Sequence, residues 1–130
     1  MILLDTHAWI WWVERSPRMP TRHRELCAAN VESGLGVSVI SCWEVAKLVS
    51  LGRLTFADSI NVWMTASLAE PGVQLTSITP EIAVEANRLP GDFHRDPADQ
   101  LLVATARILD IPVLTVDRKI LDYPFVRCLA

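Results

Sequence analysis

The sequence contains few cysteines, no zinc-site motif and no long apolar run, and each shortage excludes a class of protein. The three cysteines, Cys27, Cys42 and Cys128, are odd in number, widely spaced and set among apolar neighbours. This pattern favours buried thiols in a reducing cytosol over disulfides or a zinc site, and neither HExxH nor CxxC occurs. No apolar stretch approaches the roughly 20 residues that span a bilayer, so we expect no membrane attachment.

A secretory signal and a general affinity for nucleic acid are also not expected. Asp5 interrupts the apolar opening "MILLDTHAWIWWVERS", and no basic segment precedes it. The formal net charge of −3 provides no overall positive field that would attract nucleic acid. Apolar residues make up 51% of the chain and charged residues 21%, which is typical of a folded protein. We therefore expect one cytoplasmic domain that spans residues 1–130.

Predicted strands alternate with predicted helices along the chain. Apolar or β-branched runs predict strands at Met1–Asp5, Gly36–Ser41, Val73–Ile78 and Ile111–Asp117, with a fifth near the C-terminal "FVRCL". Capping residues and helical periodicity predict helices in "SCWEVAKLVSLGRL", after Thr79 and after Asp96. Alternation with short connections implies an α/β fold, in which helices cover both faces of a parallel sheet.

The predicted topology brings acidic residues to one edge of the sheet. Asp5 ends the first strand, and Asp117 ends the fourth. Glu44 is expected in the first turn of the helix after the second strand, and Asp96 and Asp99 begin the helix that leads into the fourth. Because ligands of open parallel sheets bind outside the carboxyl ends of the strands, we expect these carboxylates to converge there.

Several of these acids also have a purely structural interpretation. Asp96 is a good N-cap before Pro97, and Asp99 fits the acidic position of a capping box. Ser41 and Glu44 fit a second capping box, S-x-x-E. Helix capping and chemistry are compatible, so both interpretations stay open at this point.

The combined pattern favours a cation site. Asp5 follows a fully apolar strand, where an uncompensated charge costs several kcal/mol, whereas Asp117 could be an ordinary turn residue. Carboxylates within about 5 Å of one another repel unless a cation neutralises them. Ligation by oxygen alone suits Mg²⁺ or Mn²⁺. His7 is expected to pack or to form hydrogen bonds, and His94 is expected at the surface, where it is a candidate for contact with substrate.

Four segments resemble a known family. They are "LLDTHAWIWW", "VSVISCWEVAKLVSLGRL", "LPGDFHRDPADQLLVATA" and "PVLTVD", and together they cover nearly the whole chain. In this order they resemble PIN-domain ribonucleases, and among these the VapC toxin subunit of VapBC toxin–antitoxin pairs. The resemblance implies a three-layer α/β/α sandwich whose central parallel sheet has the strand order 3-2-1-4-5. It also implies a metal-dependent endoribonuclease toxin that a cognate VapB-like antitoxin neutralises.

The resemblance also implies roles for individual residues. The catalytic quartet of the family maps onto Asp5, Glu44, Asp99 and Asp117. Asp5, Asp99, Asp96 and Asp117 are the expected ligands of Mg²⁺ or Mn²⁺. Thr6 and Thr115 match small hydroxyl positions that could orient carboxylates or water.

The surface that meets RNA and partner proteins is less clearly marked in the sequence. Lys47, Arg53 and Arg95 are candidates for phosphate contact. The tryptophans are expected mostly in the core or at an interface rather than against RNA bases. The segment "AWIWWV" is interpreted as part of a homodimer or antitoxin-binding surface. A catalytically inactive PIN-fold binding module and a related DNA or flap nuclease remain as alternatives.

Overall fold

The computed structural model describes residues 1–129 and contains a five-stranded parallel sheet in the order β3-β2-β1-β4-β5. The strands are β1 (Ile2–Leu4), β2 (Leu35–Ser38), β3 (Val73–Thr76), β4 (Val113–Leu114) and β5 (Cys128–Leu129). The helices are α1 (Thr6–Val13), α2 (Thr21–Ala29), α3 (Val39–Ser50), α4 (Ile60–Leu68), α5 (Pro80–Ala86), α6 (Pro97–Leu109) and α7 (Arg118–Leu121). The predicted fold class and strand order are confirmed.

The central strand β1 divides the core into two layers. Ile2 and Leu4 are buried in one apolar cluster together with Trp9 of α1, and helices α3 and α4 contribute to the same cluster. Leu3 is buried on the opposite face, in a cluster that includes Val103 of α6. Successive side chains of a strand point to opposite faces, so a continuous apolar strand needs helices on both sides.

The register of β1 sets the position of the site. Leu4 is paired with Val37 of β2 on one side and with Leu114 of β4 on the other. The residues that follow Leu4 and Leu114, namely Asp5 and Thr115, therefore leave the sheet at its carboxyl edge. They are joined by a hydrogen bond although they are 110 positions apart in sequence.

The predicted boundary between the second strand and its helix is wrong. The strand was expected to cover Gly36–Ser41, but β2 ends at Ser38 and α3 begins at Val39. The reason is that Ser38 caps the helix, because its Oγ accepts a hydrogen bond from the Ile40 N–H at 3.1 Å. Consequently Ser41 lies inside the helix, and Glu44 lies in the second turn rather than the first.

The segment "AWIWWV" is largely internal. It forms most of α1, and Ala8, Trp9 and Ile10 are buried, with Trp9 at 0% exposure. The interpretation of the whole segment as an interface is therefore wrong for these residues, because α1 packs directly on the central strand. Trp11 and Trp12 are half-buried and line a cavity of about 430 Å³.

The three cysteines are free thiols. Cys27 is buried, while Cys42 and Cys128 are partly buried, and burial raises the pKa of the Cys27 thiol to about 12. No helix among residues 1–129 is both long enough and apolar enough to cross a membrane.

Candidate functional site

Asp5 lies between the end of β1 and the start of α1, and the residue is only 8% exposed. Its Oδ1 accepts a hydrogen bond from the Ala8 N–H at 2.8 Å and so caps α1, and its Oδ2 accepts one from the Thr115 hydroxyl. Burial raises the pKa of Asp5, the two hydrogen bonds oppose this shift, and the nearby Asp117 charge adds to it. The position is therefore costly for an anion unless positive charge is close.

Thr115 connects Asp5 to Asp117 through hydrogen bonds. Besides donating to Asp5, its Oγ1 accepts a hydrogen bond from the Asp117 N–H at 3.0 Å. Asp117 in turn caps α7, because its Oδ1 accepts a hydrogen bond from the Lys119 N–H at 2.9 Å. The second carboxylate oxygen of Asp117 makes no hydrogen bond within residues 1–129.

Glu44 is held by α1 and not by its own helix. The Thr6 hydroxyl donates to Glu44 Oε1 at 2.6 Å, and the same Thr6 oxygen lies 2.9 Å from the buried Ser41 Oγ. The predicted capping box of Ser41 and Glu44 is therefore wrong, since both side chains face Thr6. Burial raises the pKa of Glu44, Thr6 opposes this, and the charges of Asp99 and Asp96 raise it further.

The start of α6 carries two acids with different partners. Asp96 is the predicted N-cap, and its Oδ1 accepts a hydrogen bond from the Ala98 N–H at 3.1 Å. Asp99 does not act as a capping-box acid; its Oδ2 lies 2.7 Å from Nε2 of His94. Burial raises the pKa of Asp99, the hydrogen bond from His94 lowers it, and the Asp96 charge raises it.

Sequence reasoning missed this role of His94. The imidazole is half-buried against Asp99, at 24% exposure, and is not a free surface group. Gln100 Nε2 donates to the His94 carbonyl oxygen at 3.2 Å, and the Phe93 ring lies 4.3 Å from the imidazole. The available signal was the spacing of His94 before Asp96 and Asp99, which puts all three at one helix N-terminus.

All five predicted acids line a single cleft of about 250 Å³ at the carboxyl edge of the sheet. The lining residues are Asp5, Thr6, His7, Glu44, Asp96, Asp99, Leu102, Val116, Asp117 and Lys119. Acidic side chains outnumber the cationic ones, so the cleft by itself repels an anion such as a phosphodiester. Lys119, which sequence reasoning did not select, is the lysine in the lining.

A PIN domain sequence profile matches residues 2–126 of this chain. The chain belongs to the PIN domain family. Ribonuclease VapC22 of Mycobacterium tuberculosis is 34% identical to this PIN domain over 119 residues, which are 92% of this chain and 88% of that protein. The family predicted from the four sequence segments is thereby confirmed.

Solved structures of low sequence identity have the same fold as this PIN domain. FitAcB from Neisseria gonorrhoeae has a TM-score of 0.73 at 19% identity, and the match covers 100% of this chain and 97% of that one. VapBC2 from Rickettsia felis, bound to a promoter DNA fragment, has a TM-score of 0.71 at 12% identity, covering 99% and 98%. At these identities the likeness concerns the fold alone.

The donor set of this PIN domain fits a divalent cation. His94, Asp96 and Asp99 each offer a ligand atom, and these three atoms lie within 4.8 Å of one another. Carboxylate oxygens are the ligands that Mg²⁺ and Mn²⁺ prefer, and a single imidazole extends the set toward transition metals. Burial is the main cause of the raised pKa values of Asp5, Glu44 and Asp99, and the charges of neighbouring acids add to it in each case.

The basic residues predicted to touch substrate lie outside the cleft lining. Lys47 and Arg53 are exposed on or just after α3, and Arg95 is exposed next to Asp96. Among the three, Arg95 is adjacent in sequence to a residue of the cleft. Their contact with substrate stays a prediction.

Proposed function

We propose that this chain is a divalent-metal-dependent endoribonuclease toxin that a cognate antitoxin neutralises. The observation that carries the proposal is the convergence of five acids, from four separate segments, on one cleft. A purely structural role explains a helix cap at Asp5, Asp96 or Asp117. It does not explain why Glu44 and Asp99, which cap nothing, are partly buried beside them.

The family relationship supports a ribonuclease. Ribonuclease VapC22 matches nearly the full length of this chain at 34% identity. The positions proposed for catalysis are Asp5, Glu44, Asp99 and Asp117, and Thr6 and Thr115 support two of them through hydrogen bonds.

Asp5, Asp96, Asp99 and Asp117 are the proposed cation ligands, with His94 beside them. When bound, Mg²⁺ or Mn²⁺ would supply the positive charge that offsets these carboxylates and attracts a phosphodiester. Thr115 and the Ala8 N–H hold the Asp5 carboxylate in place, and His94 holds Asp99. Side chains that are already oriented lose little conformational entropy when they bind a ligand.

Glu44 is the proposed general base. Thr6 occupies Glu44 Oε1, and Oε2 has no hydrogen-bond partner among the residues that the structure describes. That oxygen is available to accept a proton from water. Partial burial and two neighbouring acids raise the pKa of Glu44, which moves it toward the range in which a carboxylate is an effective base.

An antitoxin partner and a homodimer belong to the same proposal. One structural neighbour is a toxin–antitoxin complex from Klebsiella pneumoniae, with a TM-score of 0.67 at 15% identity. In this chain, the half-buried Trp11 and Trp12 line a cavity with Arg15, Arg24 and Glu70. These two tryptophans are the part of "AWIWWV" that remains a candidate for the partner surface.

The proposal is tested with purified protein and a labelled single-stranded RNA. We expect cleavage with Mg²⁺ or Mn²⁺, none with EDTA, and a loss of at least about 100-fold in Asp99→Asn, since the substitution removes a ligand charge. Asp58→Asn is the matched control, because Asp58 is an exposed acid outside the cleft. Cleavage of a DNA strand of the same sequence would favour a DNA nuclease, and no cleavage of either would favour a binding module.

A further inference from the structure

An apolar cavity of about 340 Å³ adjoins the acidic cleft. It is lined by Ile40, Trp43, Asp96, Pro97 and Ala98. Asp96 lines this cavity and the acidic cleft, so the two spaces share a wall. A molecule that binds in the cleft can therefore extend into the cavity without crossing the rest of the surface.

Trp43 is the largest of the side chains that line this cavity. Its indole is 58% exposed, the largest exposed fraction among the exposed large apolar residues of the described chain. It directly precedes Glu44 on α3, and it has no aromatic or hydrogen-bond partner within residues 1–129. By contrast, Trp9 is fully buried and Trp63 is nearly so. The exposed Trp43 is therefore accessible to a ligand that occupies the cleft.

The charges around the cavity select the kind of ligand. Lys47 is exposed and lies four residues after Trp43, so the two side chains share a face of α3. Arg95 is exposed and directly precedes Asp96. An apolar ring flanked by cations suits a ligand with a flat apolar face and an anionic chain, which is the chemistry of a nucleotide strand.

We propose that Trp43, with Ile40 and Pro97, forms a subsite that stacks one nucleobase of the RNA next to the scissile phosphodiester. The inference rests on the proposed ribonuclease function and adds a residue that positions and selects the substrate. Any of the four bases can stack on an aromatic side chain, because every base has a π face. A nucleotide that lacks its base cannot. Lys47 and Arg95 contact the phosphates on either side of the stacked base.

The test measures RNA binding directly, without relying on cleavage. A short RNA carrying 2-aminopurine at successive positions is titrated with wild type, Trp43→Ala and Trp43→Phe, each in an Asp99→Asn background that prevents turnover. We expect quenching of the 2-aminopurine fluorescence at one position, with affinity about 5- to 100-fold weaker in Trp43→Ala and mostly restored in Trp43→Phe. Val62→Ala is the matched control, since Val62 is 53% exposed on α4 and lines neither space.

An abasic nucleotide at the quenched position completes the cycle. It should weaken binding to the wild-type side chain by the same factor and leave Trp43→Ala unchanged, because the stacking pair is already broken. Equal affinities in Trp43→Ala and wild type would overturn the subsite. A second result would also overturn it: wild type sediments as a dimer and Trp43→Ala as a monomer, while the two bind RNA with equal affinity. The surface around Trp43 would then join two copies of the chain.

The two levels of the proposal fail separately. The KM for RNA is measured in a Trp43→Ala variant that keeps Asp99. A KM equal to that of wild type overturns the subsite but not the ribonuclease. Binding and quenching through Trp43 without cleavage by the wild-type protein overturns the ribonuclease and leaves Trp43 as a base-stacking residue of an RNA-binding protein.

Discussion

Removing the charge of Asp5 should separate its chemical role from its structural one. Burial raises the pKa of Asp5, so its contribution to stability is complete below the ordinary carboxylate range and is lost as the pH rises through the raised value. At neutral pH, without divalent ions, the ionised side chain therefore opposes folding. Asp5→Asn removes the charge and keeps an oxygen for the Ala8 N–H, so we expect this variant to be more stable than wild type in EDTA.

Comparing Asp5→Ala with Asp5→Asn measures what the hydrogen bonds of Asp5 contribute to the free energy of unfolding. Both variants lack the charge, but only alanine loses the N-cap, because its side chain has no oxygen for the Ala8 N–H. In Asp5→Asn the amide NH2 takes the place of Oδ2 and donates to Thr115 Oγ1, so a hydrogen bond is kept there with its direction reversed, whereas alanine keeps none. A lost N-cap costs about 1 kcal/mol, and a lost side-chain hydrogen bond about 0.5–1.5 kcal/mol. Asp5→Ala should therefore be less stable than Asp5→Asn by about 1.5–2.5 kcal/mol, or roughly 5–10 °C in Tm for a chain of this size.

Thermal unfolding followed by circular dichroism, in EDTA and in Mg²⁺, measures both effects. Wild type should gain stability with Mg²⁺, by about 2.7 kcal/mol when the ion is present at 100 times its Kd. Asp5→Asn should lose most of this gain along with RNA cleavage. An Asp5→Asn variant that is less stable than wild type in EDTA, or equally stabilised by Mg²⁺, would refute the reasoning.

Other properties of the cleft and the fold give further predictions. His94→Ala should keep the fold but weaken Mn²⁺ affinity about 10-fold in calorimetry, because Asp99 loses its hydrogen bond; unchanged affinity would remove His94 from the site. Burial raises the pKa values of Glu44 and Asp99. As the pH rises through these raised values, the free energy of unfolding in EDTA should fall and the affinity for Mg²⁺ should rise. A free energy of unfolding that rises over this range, or an Mg²⁺ affinity that falls, would contradict the raised pKa values. Gly72→Ala should lower the free energy of unfolding by more than about 1 kcal/mol. The reason is that φ of Gly72 is +82° and an added Cβ would lie 2.5 Å from a backbone oxygen. Gly52→Ala is the control for the steric clash, because Gly52 has a similar φ of +72° but an added Cβ there has no atom within 4 Å.

The sequence was sufficient to predict the strands and the helices whose ends carry a local signal, but not where the strands end. β4 covers only Val113–Leu114, whereas a strand was expected at Ile111–Asp117. β1 is a continuous apolar run, and its burial on both faces follows from that. α6 begins at the predicted N-cap Asp96 with Pro97 in its first position, and α5 begins at Thr79 and Pro80 in the same way. In each case the capping residue adjoins a segment with a clear apolar face.

Other elements lack such a signal. α1 is apolar almost all round, so "THAWIWWV" has no periodicity that would distinguish a helix from a continued strand. Ser38 and Ser41 are both suitable N-caps for α3, and the choice between them depends on where β2 leaves the sheet. The hydrogen bond between Thr6 and Glu44 joins residues 38 positions apart, and the role of His94 depends on a loop conformation that composition does not specify.

The central claim is that acids from distant parts of the chain form one divalent-cation site. Diffraction from crystals soaked in Mn²⁺, collected where manganese scatters anomalously, tests it most directly. We expect an anomalous peak in the cleft, in contact with carboxylate oxygens of Asp5 and Asp99, and its loss in crystals of Asp99→Asn. Manganese bound only at other surface carboxylates, with the cleft free of anomalous density, would contradict it.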